Sequence, residues 1–266
     1  MSSGIQNEVT VVIPCYNQAK YLPCAVESAV KQTCLAGEII IINDGSTDNF
    51  AKVAGIILKR YAGYRIRVIN QKNQGLAAAR NAGIRRARGQ YILPLDADDL
   101  LHPKMIETLK KALNENPKVG IVYTDILTFG YRHYGKMRRK HSLDWDPQRI
   151  LFENLLPYCS LFRKEVWRKV GGYSPYSAGN DAGYEDWGFW ISCAEHGFIG
   201  KRIPGHYFYY RLKKKSMFTA AQRKHDVLAA KIVLRHAACY SKGEVAKAKF
   251  IIARANEKNR LNSSGF

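Results

Sequence analysis

Three carboxylates lie within four positions, directly after an apolar segment, in the stretch YILPLDADDLLHPKMI at residues 91–106. Like charges at this spacing raise one another's pKa and destabilise a fold unless something compensates them. Mg²⁺ and Mn²⁺ compensate them well, because these ions prefer carboxylate oxygens and often bridge to a diphosphate. Alternation along an extended segment predicts that Asp96 and Asp98 share one site, whereas Asp99 points away. We expect Asp99 to help begin the helix at Pro103.

Polar residues follow each of four predicted strands in the first half of the chain. The four strand ends are residues 14–17, 43–48, 70–75 and 96–99. Any one of them could be an ordinary turn, because Asp-Gly and Asn-Gly sequences form turns readily. Four together are harder to explain as turns, since ligands of doubly wound sheets bind beyond the carboxyl ends of the strands. The pattern therefore predicts a ligand site at one edge of a sheet.

The elements that must position these residues alternate along the chain. The predicted strands and helices are, in order, strands 9–13, 38–42, 66–69, 91–95 and 119–124, and helices 21–32, 47–61, 75–88 and 103–114. Near-continuous apolar strands separated by helices are typical of βαβ units, in which a parallel sheet is covered on both faces. The sequence thus predicts an α/β fold with a doubly wound, mostly parallel sheet flanked by helices.

Two motifs that the chain lacks narrow the class of ligand. No GxGxxG follows the first strand and no GxxxxGK[ST] occurs anywhere, which argues against a Rossmann dinucleotide enzyme and a P-loop nucleotide hydrolase. A nucleotide would have to be bound through side chains. Tyr16 offers an aromatic face to a base, and Asp44 can accept a hydrogen bond from a base or a ribose.

Three further charged residues allow both a functional and a structural interpretation. Arg80 lies in the small-residue helix NQGLAAARNAGI, where it could balance Asp96 or grip a phosphate. Glu185 and Asp186, in GYEDWGFW, could stabilise the start of a helix by interacting with the positive end of its dipole. They also follow a glycine-rich loop and precede two tryptophans, so a carboxylate here could act as a general base over a sugar.

Composition and charge limit the classes of protein and partner. The chain has 266 residues, of which 46% are hydrophobic and 24% charged, as in ordinary globular proteins. Residues 200–266 hold 16 Lys or Arg against 3 Asp or Glu, which places +13 of the net charge of +20 there. This excess suggests an anionic partner, such as a phosphate, an acidic lipid surface or nucleic acid, or else a solvated helical face.

Cysteine usage and hydropathy indicate the compartment. The six cysteines form no CxxC pair, so reduced thiols are expected and a zinc site is not. No apolar stretch approaches the ~20 residues that span a bilayer. The first residues also lack the charged and apolar regions of a signal peptide. We therefore expect a cytoplasmic protein.

Six motifs occur in a definite order along the chain: PCYNQAKYL, INDGSTD, NQGLAAARNAGI, LDADD, SLFRKEVWRKVGGY and YEDWGFW. LDADD alone is weakly specific, but the ordered set resembles the family 2 glycosyltransferases with a GT-A fold over roughly residues 8–216. The resemblance implies an inverting transfer of a sugar from a nucleotide diphosphate sugar, usually UDP-linked, to an acceptor hydroxyl in glycan or polysaccharide synthesis. We predict a glycosyltransferase domain at 1–216 and a basic helical extension at 217–266.

The resemblance also assigns roles residue by residue. The residues that would bind the donor are Pro14, Tyr16, Asn17, Asp44, Asn73, Arg80 and Asp96. Among them, Asp44 would hold the base and Asp96 would face the ribose. Asp98 would bind a Mn²⁺ or Mg²⁺ ion, as in the DxD motif of the family. Asp186 would be the catalytic base, with Glu185 supporting it or touching the acceptor.

The C-terminal motif departs from the family pattern. Many members carry a histidine that can complete the metal shell in a sequence like YRxHxxSMS, whereas this chain has YRLKKKSMF with Lys213 at that place. A protonated amine cannot ligate a cation. Lys213, Lys214 or Lys215 could instead bind the donor diphosphate directly, and His206 is a further candidate metal ligand.

Two alternatives stay open beside a metal-dependent glycosyltransferase. A nucleotidyltransferase of the same general fold normally carries a glycine-rich loop with Arg and Lys after the first strand, which PCYNQAKYL lacks. A non-catalytic anion-binding module would explain the basic C-terminus but not the acidic strand ends. For the enzyme we expect a nucleotide-sugar donor, a glycan or lipid-linked acceptor and no nucleic acid. The basic tail also predicts peripheral contact with the inner, anionic face of the membrane.

Overall fold

A computed structural model describes residues 8–131, 137–176, 183–214 and 217–263 of the chain. The strands are β1 (Val9–Cys15), β2 (Glu38–Asp44), β3 (Ile66–Gln71), β4 (Tyr91–Pro94), β5 (Leu100–Leu101), β6 (Val119–Gly130), β7 (Arg138–Lys140), β8 (Leu161–Arg163) and β9 (Ile199–Leu212). The α-helices are α1 (Leu22–Val30), α2 (Phe50–Arg60), α3 (Leu76–Arg86), α4 (Met105–Glu115), α5 (Lys164–Lys169), α6 (Glu185–Glu195), α7 (Met217–Arg223), α8 (His225–Arg235) and α9 (Lys242–Ser263).

Within the described residues, nine strands form one mixed sheet in the order β3-β2-β1-β4-β8-β6-β9-β5, with β7 paired to β6. The first four strands of this order are mutually parallel, and β8 runs antiparallel to both of its neighbours. Alternate residues of β1 enter two apolar clusters: Val11 packs with α1, α2 and α4, whereas Val12 packs with α3 and α6. Helices therefore cover both faces, which confirms the predicted doubly wound α/β fold.

Helix α3 lies close against the sheet because its inward residues are small. Ala79 and Gly83 are both buried in this helix. A Cβ atom built on Gly83 would overlap the Val12 side chain and lie 3.3 Å from the Ile42 Cγ1 atom. Strands β1 and β2 thus approach the helix backbone at a distance that only glycine allows.

We expect Gly83→Ala to lower the free energy of unfolding by about 1–3 kcal/mol, because the added methyl group overpacks this contact. Gly55 is a matched control, since it also lies inside a helix but has no atom within 4 Å of its built Cβ. There the same substitution should raise stability by about 0.5–1 kcal/mol. Urea denaturation of both variants measures the two changes in the free energy of unfolding. Equal changes would show that α3 can shift away from the sheet to admit the methyl group.

The second half of the sheet brings the C-terminal strand back to the acidic turn. Strand β9 pairs in parallel with β6 and antiparallel with the short β5, where Leu100 lies opposite Tyr209. Because β5 directly follows the LDADD sequence, this pairing places the end of β9 beside the three aspartates.

Helices α7, α8 and α9 follow β9 in the described residues, as predicted. Helix α8 packs on α9, and Leu228, Ile232 and Tyr240 join the same apolar cluster as α6. The Tyr240 hydroxyl donates to the Leu151 carbonyl at 2.7 Å, so the extension is fastened to the segment between β7 and β8. Its separation as a domain at residue 217 stays a prediction. None of the helices that the structure describes is both long and apolar enough to cross a membrane.

Candidate active site

Hydrogen bonds lock the loops after β1 and β2 to each other. The Asn17 Oδ1 atom accepts from the Thr47 N–H at 2.8 Å, and the Asn17 N–H donates to Ser46 Oγ at 3.1 Å. Asn17 has a φ of +52°, a left-handed conformation that asparagine tolerates better than most residues. The half-buried Tyr16 therefore lies in a loop that hydrogen bonds hold in place. Pro14 is buried within β1.

The Asp44 carboxylate, at the end of β2, fixes the loop that follows β3 through hydrogen bonds. Its Oδ1 atom accepts from Gln71 Nε2 at 2.7 Å and from the Gln74 N–H at 2.9 Å, and its Oδ2 atom accepts from the Gly75 N–H at 2.9 Å. The residue is 2% exposed. These bonds give Asp44 a structural role, and its contact with a nucleotide base stays a prediction.

The loops after β2 and β3 also touch through their backbones. Gly45 has a φ of +71°, and a Cβ atom there would lie 2.7 Å from the Asn73 backbone nitrogen. Only glycine meets both conditions. Asn73 itself is exposed at this edge. Three successive strand ends are thus fixed relative to one another.

Arg80 joins two of the predicted site carboxylates inside the protein. Its Nη2 atom donates to Asp96 Oδ1 at 2.8 Å and its Nη1 atom to Glu185 Oε1 at 2.6 Å. The guanidinium carbon also lies 4.7 Å from the centroid of the Tyr158 ring. Burial raises the pKa of Asp96 to about 6, against the effect of Arg80. Arg80 is 1% exposed, so the ion pair is present and the guanidinium presents no surface to a phosphate.

The start of α6 sets the position of Asp186, the predicted catalytic base. This helix begins at Glu185, directly after Tyr184 with a φ of +65°. Glu185 is buried against Arg80, whereas Asp186 is half-buried and its Oδ2 atom accepts from Asn154 Nδ2 at 3.0 Å. Burial raises the pKa of Asp186, and Arg80 and the Asn154 hydrogen bond lower it. A partly accessible carboxylate with a raised pKa suits a general base.

The prediction that Asp99 helps begin the next helix is wrong. Helix α4 begins at Met105, and Asp99 is 1% exposed. Its carboxylate accepts from the Tyr158 hydroxyl and from the Arg211 N–H, each at 2.7 Å. The Tyr158 hydroxyl in turn accepts from the Asp96 N–H at 2.9 Å. Asp99 therefore ties the acidic turn to β9, because the pairing of β5 with β9 brings that strand within reach.

A lysine is paired with Asp98, the predicted metal ligand. The Nζ atom of Lys213 lies 2.5 Å from Asp98 Oδ2. Arg211 reaches the same turn, and its Nε atom donates to the Asp98 carbonyl at 2.7 Å. Lys214 is exposed, and Lys215 lies outside the described residues. The protein itself therefore supplies a cation to the DxD carboxylate.

In the described parts of the chain, one group of three ligating side chains lies close enough together to hold a metal ion, and it does not include Asp98. Its members are Asp125, His141 and His206, whose ligand atoms lie within 4.8 Å of one another. Both Asp125 oxygens already accept from Arg202, each at 2.8 Å. An ion there would compete with a guanidinium. His206, predicted as a substitute ligand for the ion at Asp98, stands with Asp125 instead.

Three side chains that the sequence did not single out complete the site: Tyr158 beneath Arg80, Asn154 on Asp186, and Arg211 on the acidic turn. The first two belong to a stretch without a recognisable motif, so nothing in the sequence marked them. Arg211 is the arginine of YRLKKKSMF, and its position two residues before Lys213 was the available signal.

Solved structures identify the class of fold. The chain resembles Staphylococcus aureus TarS in complex with UDP-GlcNAc, with a TM-score of 0.66 and 18% identity over 85% of this chain and 66% of that one. It also resembles the mannosyltransferase PcManGT from Pyrobaculum calidifontis in complex with GDP-Man and Mn²⁺, with a TM-score of 0.63 and 20% identity over 86% and 64% of the two chains. These likenesses confirm the predicted GT-A fold.

Residues 10–171 match the model of glycosyl transferase family 2, and the chain belongs to that family, as its motifs predicted. The glycosyltransferase GlyG of Streptococcus pneumoniae is 39% identical over 186 residues, which cover 61% of this chain and 58% of GlyG. The chondroitin synthase of Escherichia coli is 40% identical over 117 residues, 44% of this chain and 17% of the synthase. The chain thus spans less than two thirds of the length of each of these relatives.

Proposed function

We propose that this protein is an inverting glycosyltransferase, which moves a sugar from a nucleotide diphosphate sugar to an acceptor hydroxyl in glycan or polysaccharide synthesis. The buried Arg80 bridge carries the proposal, because it fixes Asp96 at a strand end and Glu185 at the start of α6. Asp186 is thereby set at the same edge of the sheet as the four loops. Family membership favours this reaction over nucleotidyl transfer or simple anion binding.

A nucleotide sugar, to be tested first as a UDP sugar, fits the polar strand ends. Structural relatives have been solved with UDP, UDP-GlcNAc and GDP-Man. The residues that would line the nucleotide pocket are Pro14, Tyr16, Asn17, Asp44 and Asn73. Asp96 would face the ribose, since its side chain remains 19% exposed beside Arg80.

In the proposed reaction, Asp186 is the general base. Its carboxylate takes the proton of the acceptor hydroxyl, and that oxygen attacks the anomeric carbon from the face opposite the nucleotide. A new carbon–oxygen bond forms as the bond to the diphosphate breaks, and the diphosphate leaves with the electron pair. Glu185 stays bound to Arg80 and holds the start of α6 in place.

The Mn²⁺ or Mg²⁺ ion predicted at Asp98 does not fit the groups around that carboxylate. Asp98 lies 2.5 Å from the Lys213 ammonium, and Asp96 is paired with Arg80. A divalent ion would have to displace the Lys213 ammonium, which stands where the family pattern YRxHxxSMS has a histidine. PcManGT was solved in complex with Mn²⁺, but no step of the transfer proposed for this chain uses a metal.

A panel of UDP- and GDP-linked sugars tests the proposed reaction through release of the free nucleotide. We expect slow release with water as acceptor from one donor and faster release when the correct acceptor glycan is added. The reactions are run both with Mn²⁺ and with EDTA, so that a need for metal does not hide activity. No release from any donor under either condition, with or without glycan, would contradict the proposal.

The acid limb of the pH–rate profile should report the pKa of Asp186, because this base must be deprotonated to accept a proton. Burial raises the pKa of Asp186 and the Asn154 hydrogen bond lowers it. Loss of that bond in Asn154→Ala should therefore raise the pKa, so that activity falls away at a higher pH than in the wild type. The dependence of kcat on pH measures this shift. An unmoved acid limb would show that another group titrates.

The cytoplasmic location, the glycan or lipid-linked acceptor and the contact of the basic C-terminus with an anionic membrane face stay predictions of the sequence. Exposed lysines on α9, among them Lys242, Lys247 and Lys249, are consistent with an anionic partner.

A further inference from the structure

The backbone, and not only a long side chain, sets the position of Lys213. Strand β9 is held against β5 with Leu100 opposite Tyr209. Two residues on, the Arg211 N–H donates to Asp99 Oδ1 and the Arg211 Nε atom donates to the Asp98 carbonyl, both at 2.7 Å. Lys213 therefore leaves the sheet directly beside the acidic turn.

The pair that Lys213 forms with Asp98 differs from a surface ion pair. Its two side chains are 20% and 16% exposed, whereas those of the pair between Lys31 and Glu27 are 69% and 30% exposed. The Lys213 Nζ atom also lies 5.6 Å from the centroid of the Tyr21 ring. The Arg211 guanidinium carbon lies 4.8 Å from the centroid of the same ring, so both cations lie beside one aromatic ring.

The cluster brings positive charge to the acidic turn. The Lys213 ammonium neutralises the Asp98 carboxylate, and the Arg211 guanidinium leaves the three groups together with a net +1. A lysine ammonium has three N–H donors. One of them is engaged by Asp98, and no further hydrogen-bond partner of the ammonium is found in the described part of the chain, so the other two can serve the oxygens of a diphosphate.

We propose that the Lys213 ammonium, held on Asp98, takes the place of the divalent ion in this protein, so that donor binding and sugar transfer need no metal. The proposal rests on the proposed function, since it assumes a diphosphate donor at this edge. Lys213 neutralises the charge that develops on the departing diphosphate, and Arg211 adds a second positive charge beside it.

Calorimetric titration with UDP and with GDP tests this proposal without any need for turnover. In the wild type we expect the same Kd in EDTA and in Mn²⁺, within about twofold. Lys213→Ala removes a charge-assisted bond to the diphosphate and should weaken binding roughly 10- to 100-fold under both conditions. Lys213→His should bind weakly in EDTA and regain affinity in Mn²⁺, because an imidazole can ligate the ion.

Lys201→His is the matched control, since Lys201 also lies on β9 but donates to Asn116 at 3.0 Å. Its nucleotide affinity should equal that of the wild type, with and without metal. A wild-type affinity that falls tenfold or more in EDTA and returns with Mn²⁺ would overturn the role of Lys213. Absence of binding of either nucleotide under both conditions would instead contradict the donor class, and with it the proposed function.

Discussion

Asp186→Asn is expected to slow sugar transfer by roughly 10²- to 10⁴-fold, the usual contribution of a general base. Asparagine keeps the size of the side chain and can still pair with Asn154, which contacts Asp186 at 3.0 Å in the wild type. It cannot accept the proton of the acceptor hydroxyl. Nucleotide affinity should stay the same, because the substitution changes the acceptor side of the site.

Initial rates with a saturating donor, together with the Kd for the nucleotide, separate these two effects. Asp144→Asn is a suitable control, since it removes a carboxylate that is 89% exposed and 3.8 Å from Arg202. It should change neither quantity. Full transfer activity in Asp186→Asn would remove Asp186 from the role of base, and a parallel loss of nucleotide affinity would point to misfolding of the site.

Arg80→Met should lower the free energy of unfolding by about 3–5 kcal/mol, because it removes the buried guanidinium that pairs with two carboxylates and leaves both without a cation. Asp96 and Glu185 lie 2.8 Å and 2.6 Å from the Arg80 nitrogens. Methionine fills much of the same volume, so the loss reports mainly charge and hydrogen bonding. Transfer should fall as well, since Glu185 no longer fixes the start of α6.

The double variant Arg80→Met/Glu185→Gln should recover part of the lost stability, because it removes one of the two stranded charges. Arg149→Met is the control for an exposed pair: Arg149 and Glu153 are 52% and 50% exposed, and its loss should cost under about 1 kcal/mol. Urea denaturation measures all three variants. An Arg80→Met effect as small as that of Arg149→Met would show that the bridge does not hold the fold.

The local parts of the fold were predictable from local sequence. The strands at β1 and β2 were expected from residues 9 and 38 and begin there, because buried parallel strands need continuous apolar segments. The gathering of four polar strand ends followed from the same parallel order. The small residues of NQGLAAARNAGI likewise predicted a helix that packs closely on a sheet, as Gly83 shows.

The contacts that build the site depend on long-range register, which a single sequence does not encode in a local pattern. Arg80 and Glu185 are separated by 105 residues, and the Arg211 side chain meets the Asp98 carbonyl across 113. Asp99 was misassigned for this reason: the helix at Met105 is near in sequence, but the partners of Asp99 come from β9 and Tyr158. The sequence marked Lys213 as unusual, and only the pairing of β5 with β9 places it on Asp98.

The configuration of the first sugar product at its anomeric carbon tests the proposed mechanism most directly. Proton NMR during turnover of an α-linked nucleotide sugar distinguishes the two configurations before they equilibrate. Direct attack by a hydroxyl that Asp186 deprotonates predicts that the β product appears first. A product that retains the α configuration would contradict single displacement and the role of Asp186 as the base.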